Sequence, residues 1–499
     1  MRDAVKRGVA VALGLIIQFA LTYLFYIVLG KYIGIIGILY ELLGFILIMG
    51  LIKNSKSYSY TLPWIILILL FPLPATLMYF ILGGNKINSK IFKSIRKSET
   101  ENKNYLVQDP TIKKEFANNG RLRYLSDFSG YPVTKNDDID YFPLGEKALP
   151  AMLEDLRNAK NFIFLEYFII NHGKMWSSIL EILEKKAAEG LDVRIMYDDL
   201  GCFTTLDKNY PQELEKKGIK CVVFNKLSTG SGIIMNNRDH RKILVIDGII
   251  AYTGGINIAD EYINEIVKHG HWKDNAIRIS GDSIWSFTVM FLSMWNSFEQ
   301  TDEDFNIFKR EFKKTKKDAG YVAVYGETPL DDEVTGEDVY LNIINQATDY
   351  IYIATPYLII DTDMINALGL AAKRGVDVRI VIPGIPDKRI VYTLSESYIE
   401  PLVKSGVKIY KYTPGFVHSK VFIADDHIAT VGTINMDYRS LYLHFECGVY
   451  MEDGDYIEDI KKDLDFMISK SHQVTEKEAT PHLLKGIWQA ILRLFAPLM

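Results

Sequence analysis

Two short frames in the sequence carry residue types suited to work on a phosphate. One is His240-x-Lys242-x4-Asp247 and the other His418-x-Lys420-x4-Asp425. Both continue in register: a glycine stands 14 residues after each histidine (Gly254, Gly432) and an asparagine 17 residues after it (Asn257, Asn435). The chain has nine histidines, and chance rarely gives so few residues two such frames. A pair of surface histidines on duplicated strands would explain neither the repeated lysine nor the repeated asparagine. The six motif residues form the candidate catalytic set. Imidazole can attack phosphorus or protonate a leaving oxygen, lysine supplies a fixed point charge, and asparagine supplies N–H donors. Two copies facing one another give one nucleophile and one general acid around a single phosphorus, with Lys242, Lys420, Asn257 and Asn435 as phosphate ligands. No metal or other cofactor is required by such a set, because the lysines and asparagines can stabilise the charge that develops.

Strand geometry divides the set further. Side chains on a strand alternate faces, so His240 and Lys242 share one face with Leu244 and Ile246, while Arg241, Ile243, Val245 and Asp247 take the other. The second frame behaves identically. On a regular strand the motif aspartates cannot share the pocket of their own histidines, and Asp247 and Asp425 are assigned to structural support. A nucleophilic imidazole also needs an acceptor behind its far nitrogen. Asp274, in GHWKDNAIRISG, and Glu446, in HFECGVY, are the candidates; a surface ion pair is the competing role for each.

The frames sit inside a larger internal repeat. NFIFLEYFII (161–170), KKAAEGLDVRIMYDD (185–199), DHRKILVID (239–247) and TGGIN (253–257) recur in the same order as YIYIATPYLII (350–360), AAKRGVDVRIVIP (371–383), VHSKVFIAD (417–425) and VGTIN (431–435). Each half alternates apolar strands with an amphipathic helix that stops at a glycine (Gly190, Gly375), the pattern of a sheet covered by helices. The expectation is α/β: a first lobe over 120–300, a charged linker over 301–320 and a second lobe over 321–478. The aromatic-rich stretch from Trp285 to Phe298 is expected as a buried lobe helix.

At 499 residues the chain admits about three domain-sized units, and charge separates them. Residues 1–103 carry a net charge of +8, against −13 for the remainder. An acidic body is a poor nucleic-acid binder. Cys202, Cys221 and Cys447 suggest neither a disulfide framework nor a structural metal. Residues 1–85 hold three apolar runs: Gly8–Gly30, long enough to span a bilayer; Tyr32–Ile52, interrupted by Glu41; and Leu62–Leu82, interrupted by Pro63, Pro72 and Pro74. They are expected to form a membrane anchor with two or three hydrophobic segments. Basic residues before the first run and after the third place both ends inside, which favours an even number of crossings, with the proline-broken third run re-entrant. Residues 86–119 are expected as a basic linker attracted to anionic lipid, and 479–499 as an amphipathic helix lying on the bilayer or packed on the lobes.

These motifs resemble the phospholipase D superfamily and, within it, the bacterial cardiolipin synthases, over almost the whole chain. HRKILVIDG, YTGGINIADEY and HWKDNAIRISG match the first motif block; IATPYLI, GVDVRIVIP, PGFVHSKVFIADD, VGTINMDYRS and HFECG match the second. Thr433 stands where many members have serine, Gly255 at a position that varies, and YGETPLDDE (325–333) fits only loosely. The resemblance implies two phospholipase D-like lobes related by a pseudo-twofold axis, preceded by transmembrane helices in a multi-pass protein of the cell membrane, with the lobes in the cytoplasm. It implies His240 as the nucleophile that becomes phosphohistidine, His418 as the acid that protonates departing glycerol, and Asp274 and Glu446 as histidine-supporting carboxylates. The implied partners are phosphatidylglycerol and anionic membrane lipids, the implied reaction cardiolipin synthesis, with no nucleic acid. Hydrolysis by water, another phosphatidyl transfer such as phosphatidylserine synthesis, a non-enzymatic membrane scaffold and a nuclease are the alternatives. The last two are disfavoured by the intact paired residues and by the acidic, anchored body.

Overall fold

The computed structural model describes Tyr23 and residues 35–53, 58–79, 90–135, 137–226, 237–301, 303–312 and 320–496. Within the first lobe the strands are Asp138–Phe142 (β1), Phe162–Tyr167 (β2), Asp192–Asp198 (β3), Lys220–Phe224 (β4), Lys242–Ile246 (β5), Ile250–Gly254 (β6), His271–Lys273 (β7) and Ala276–Ser280 (β8). All but β7 join one sheet in the order β1-β8-β6-β5-β2-β3-β4. The second lobe contributes Tyr321–Glu327 (β9), Tyr350–Ala354 (β10), Leu358–Ile359 (β11), Asp377–Pro383 (β12), Lys408–Tyr412 (β13), Gly415–Val417 (β14), Val421–Ala424 (β15), Ile428–Gly432 (β16), Met436–Asp437 (β17), Glu446–Glu452 (β18) and Ser471–Gln473 (β19). Its main sheet runs β9-β18-β16-β15-β10-β12-β13, with β19 added at the edge. The two orders match strand for strand, so the sequence repeat is a structural duplication.

The buried runs of β2, β3, β10 and β12 pair in parallel, as expected where helices cover both faces. The helices feeding β3 and β12 end at Gly190 and Gly375, whose φ of +94° and +99° a side chain would strain. Alternation along β5 and β15 then sorts the layers. Ile243 and Val245, with Val421 and Ile423, enter one core shared by both lobes, while Leu244 and Ile246, or Phe422 and Ala424, enter the outer core of their own lobe. The helix Ile284–Glu299 lies in the shared layer and is buried over most of its length, as its aromatic composition led us to expect.

Two connectors differ from their expected form. The segment expected as a basic linker, 86–119, contains the helix Lys90–Asn102 packed along Ile284–Glu299. Phe92 and Ile95 enter the shared core, and the Ser94 and Ser98 hydroxyls donate to the carbonyls of Ser297 and Ser293 at 3.0 and 2.8 Å. Amphipathicity, invisible in a net-charge count, docks it. The charged linker, 301–320, is likewise pinned: Phe305 and Phe308 are buried, and Glu303 meets Arg194 through two hydrogen bonds of 2.8 Å.

Of the three apolar runs, Gly8–Gly30 lies outside the described residues apart from Tyr23. The second contains the helix Ile35–Lys53, and the third is divided at Phe71 into Tyr58–Leu70 and Pro72–Met78. Ile48, Ile68 and Ala75 pack these helices together. No helix among the described residues is long and apolar enough to cross a membrane. The C-terminal helix spans Leu483–Phe495, burying Leu492 and Gln489.

Candidate active site

The two motif strands meet at the boundary between the lobes, and what joins them is an exchange of backbone. The His240 amide donates to the Phe445 carbonyl (2.9 Å) and the His418 amide to the Lys273 carbonyl (2.7 Å). In the second case β14 pairs in parallel with β7 of the other lobe. Each histidine is therefore fixed by the strand that carries the opposite lobe's candidate carboxylate. His240 Nδ1 lies 2.9 Å from both oxygens of Glu446, and His418 Nδ1 lies 2.7 Å from Asp274 Oδ2. Both carboxylates are fully buried. A carboxylate can only accept, so the proton rests on Nδ1 and each Nε2 keeps its lone pair in the resting state.

The lysines complete the pocket. Lys242 Nζ donates to the His240 carbonyl (2.7 Å); Lys420 Nζ donates to the His418 carbonyl and lies 2.9 Å from His418 Nδ1. Burial pushes Lys242 down to about 8 and Lys420 down to about 7, with the neighbouring carboxylates opposing the shift. Burial, then the charges of Lys242, Lys420 and His418, hold His240 well below the usual imidazole range. Burial and Lys420 bring His418 down to about 4 against the opposing pull of Asp274. Burial alone would raise Asp274, but the His418 imidazole holds it low. The cross-lobe bonds of His240 with Glu446 and of His418 with Asp274 bring the two sets together at the boundary between the lobes. Two buried lysines, two imidazoles and two carboxylates thus share a desolvated environment that shifts the lysines and histidines toward their neutral forms.

The remaining candidates fall out differently. Asp247 and Asp425 leave the catalytic set. Asp247 accepts from the amides of Lys160, Asn161 and Phe162 at 2.6–2.9 Å, and Asp425 accepts from those of Thr348, Asp349 and Tyr350 at 2.7–2.9 Å. Each sits in a left-handed turn (φ +54°, +53°) at the end of its strand away from the histidine, tying β5 to the start of β2, or β15 to the start of β10. Alternation puts each aspartate on the strand face opposite its own histidine, and these amide contacts agree with that placement. Asn257 is held in place on both sides: Oδ1 accepts from the Ile169 amide (3.1 Å) and one Nδ2 hydrogen is donated to the Tyr262 hydroxyl (2.8 Å), which leaves a second N–H on Nδ2. Asn435 is buried with its Oδ1 unpartnered.

Five neighbours complete the surroundings: sequence reasoning noted Thr433 and Gly255 only as departures from the family pattern and passed over Tyr262, Trp272 and His444. Thr433 Oγ1 donates to Glu446 Oε2 (2.5 Å), fixing the carboxylate under His240. Its counterpart is Gly255, where an added Cβ would lie 2.0 Å from Asp274 Oδ1. Tyr262 stands edge-on to His418 at 5.4 Å. Trp272 and His444 occupy equivalent positions, each 5.8 Å from the adjacent candidate histidine, with their ring N–H groups unpartnered. The signal was available: each lies two residues before a flagged carboxylate, hence on the same strand face. Among the described residues one group has metal-like spacing, His240, His444 and Glu446, with ligand atoms within 4.8 Å. His240 and Glu446 are already bonded to each other, and the two adjacent lysines oppose a cation there.

Comparison with known proteins agrees with this geometry. The family described as "Cardiolipin synthase, PLD-like domain" matches residues 152–295 and 340–468. A protein of Streptococcus mutans is 44% identical over 91% of this chain and 99% of its own length. Cardiolipin synthase 1 of Staphylococcus aureus is 33% identical over 93% of this chain and 96% of its own, and a cardiolipin synthase of Listeria monocytogenes is 30% identical over 92% and 100%. Among solved structures, the phosphatidylserine synthase of Haemophilus influenzae shares the fold, with a TM-score of 0.56 at 15% identity over 76% of this chain and 97% of that one. With histidine, lysine and cross-lobe carboxylate assembled twice on the duplicated fold, the chain belongs to the cardiolipin synthase branch of the phospholipase D superfamily, and it is an enzyme of that superfamily.

Proposed function

We propose that this protein is a membrane-bound phosphatidyltransferase that makes cardiolipin and glycerol from two molecules of phosphatidylglycerol through a phosphohistidine. The observation that carries the reading is the reciprocal pairing of His240 with Glu446 and His418 with Asp274 beside two buried lysines. His240 Nε2 attacks phosphorus and the bond to the glycerol oxygen breaks. His418 delivers its Nε2 proton to that oxygen, and free glycerol leaves. The terminal hydroxyl of a second phosphatidylglycerol then gives its proton back to His418 while its oxygen displaces His240, closing the cycle with no net proton change. Lys242 and Lys420 neutralise the non-bridging oxygens, with Asn435 as a further ligand.

The resting titration state suits this order. His240 is neutral and ready to attack, whereas His418 must be charged to act as an acid. The incoming phosphodiester brings a negative charge, which raises both His418 and Lys420 and protonates the site as substrate binds. One phosphodiester is broken and one made, so the exchange is near thermoneutral and is driven by lipid abundance and exclusion of water.

The apolar N-terminal helices, exposing Leu42, Phe45, Ile46, Leu69 and Leu70, support the anchored state; both termini and the lobes are assigned to the cytoplasm by the basic flanks. Anionic membrane lipid is the proposed partner, and no cofactor or nucleic acid is invoked. The test is purified full-length protein with phosphatidylglycerol as the sole lipid. Cardiolipin and free glycerol in equal amounts are expected, and both are abolished by His240→Ala or His418→Ala. Phosphatidate as the product would make the enzyme a hydrolase, and cardiolipin formed only with CDP-diacylglycerol would reject the mechanism.

A further inference from the structure

Single apolar side chains on a protein surface are ordinary, whereas a contiguous series marks a contact surface. Such a series runs from the N-terminal helices to the mouth of the candidate active site. The helix Tyr58–Leu70 packs beside the C-terminal helix Leu483–Phe495, where Leu62 and Pro63 line a small cavity with Arg493 and Leu494. The C-terminal helix is held on the body by Gln489, donating to the Thr393 carbonyl (3.4 Å), and by Lys485 paired with Glu396 (2.9 Å). Its other face presents Leu483, Leu484, Ile487, Trp488 and Ile491, the first two 80% and 81% exposed. The helix it grips, Arg389–Glu396, begins with exposed Arg389 and Ile390. Upstream come exposed Lys388 and Ile385, and an added Cβ at Gly270 would lie 2.9 Å from the Ile385 side chain. Ile385 therefore abuts the turn that carries Ile266, Val267 and Lys268, with Val267 77% exposed.

The far end of this route is the catalytic pocket. Gly270 leads into β7, whose Trp272 packs on Phe416 and His418, and the Lys388 charge bears on His240. The series combines apolar tips with the exposed cations Lys388 and Arg389, which complement anionic headgroups above an acyl layer, while Lys268 is paired with Glu261 at 3.2 Å. A tether at the N-terminus keeps the body near a bilayer without choosing which face meets it.

We propose that this rim, Ile266–Lys268 with Ile385–Ile390, seats the catalytic body on an anionic phospholipid bilayer together with the C-terminal helix, so that the pocket opens directly onto the surface from which lipid is drawn. The proposal rests on the phosphatidyltransferase reading and adds the surface through which its substrate arrives.

The test uses the full chain reconstituted in phosphatidylcholine–phosphatidylglycerol vesicles. Val267→Glu/Ile390→Glu changes two exposed side chains outside the pocket. It is expected to lower kcat/KM for bilayer phosphatidylglycerol at least about tenfold while staying within about twofold of the parent on monodisperse dihexanoyl-phosphatidylglycerol. In a Cys221→Ser background, Val267→Cys labelled with a polarity-sensitive dye is expected to shift to the blue on going from detergent to anionic vesicles. Equal losses on both substrates, no loss on either, or no dye shift would overturn the proposal. So would a dye shift that follows protein concentration rather than lipid, which would make the rim a contact between copies. If the parent forms no cardiolipin from either the bilayer or the short-chain lipid, the catalytic reading fails, while the dye still reports on the membrane seat.

Discussion

Because each histidine leans on the opposite lobe's carboxylate, two similar substitutions should damage different steps. Glu446→Gln removes the charge behind His240, and Asp274→Asn removes the charge behind His418. Both carboxylates are fully buried and within 2.9 Å of the imidazole nitrogen they serve. The amides keep the volume, so the fold should survive; what is lost is a fixed charge facing an imidazole that becomes positive during reaction. In a site shielded from water, a group aimed at developing charge is worth about 2.7–4 kcal/mol, or about 10²–10³ in rate. With phosphatidylglycerol both variants should fall by that factor. The leaving group separates them. Glycerol needs a proton from His418, whereas p-nitrophenolate, whose conjugate acid has a pKa of about 7, departs without one. With phosphatidyl-p-nitrophenol, the pre-steady-state release of nitrophenol should return to within about tenfold of the parent in Asp274→Asn and stay 10²–10³ down in Glu446→Gln, as judged by the same scale. Recovery in Glu446→Gln alone would move the nucleophile to His418. Recovery in both, or in neither, would refute the division of labour.

Three further outcomes follow from the same contacts. Binding of orthovanadate should take up protons: near pH 8 Lys420 is mostly neutral and Lys242 about half so; an anion raises both, so affinity falls as pH rises from 7 to 9, and calorimetry in buffers of different ionisation heat should give an uptake of about one proton, with no uptake contradicting the buried-lysine picture. Gly255→Ala should cost about 10²-fold or more in kcat with phosphatidylglycerol, since its Cβ displaces Asp274 from His418, whereas Thr433→Ser should keep activity and Thr433→Val lose about tenfold with the hydroxyl's bond to Glu446. Asp247→Ala should lower stability in urea by about 2–4 kcal/mol through three orphaned amides while leaving kcat of the folded enzyme within about threefold; a selective loss of kcat would return that aspartate to the pocket.

What the sequence disclosed, and what it withheld, follows from the range of the forces involved. The duplication, the strand faces and the removal of Asp247 and Asp425 from the pocket all depend on local periodicity, which a single strand writes into its own residues. The carboxylates could be nominated, but not assigned to a particular histidine, because the crossing of Glu446 to His240 is decided by strands more than two hundred residues apart. Asn257 and Asn435 are alike in register, but the contacts of Asn257 with Ile169 and Tyr262 are tertiary facts that no local pattern shows. The basic stretch before the first lobe misled for a related reason. Its charge count was correct, yet Phe92 and Ile95 three residues apart were enough to dock it, and a net charge says nothing about spacing.

The crossing also explains why the duplication yields one site rather than two. Separated, the first lobe would lose the histidine that pairs Asp274, and His240 would lose its acceptor. The backbone pairing of β7 with β14 would be lost, as would the buried bridge from Lys273 to Asp463 at 2.7 Å. A buried unpaired charge costs several kcal/mol, so neither half is expected to fold alone into a working shape, and the shared core enforces the same conclusion by area. Once the halves are mutually required, their equivalent positions need not stay alike: in the proposed mechanism one imidazole attacks and the other shuttles a proton. Gly255 opposite Thr433, and Trp272 opposite His444, are the places where the two supports have diverged around a pair of motifs that remain in register.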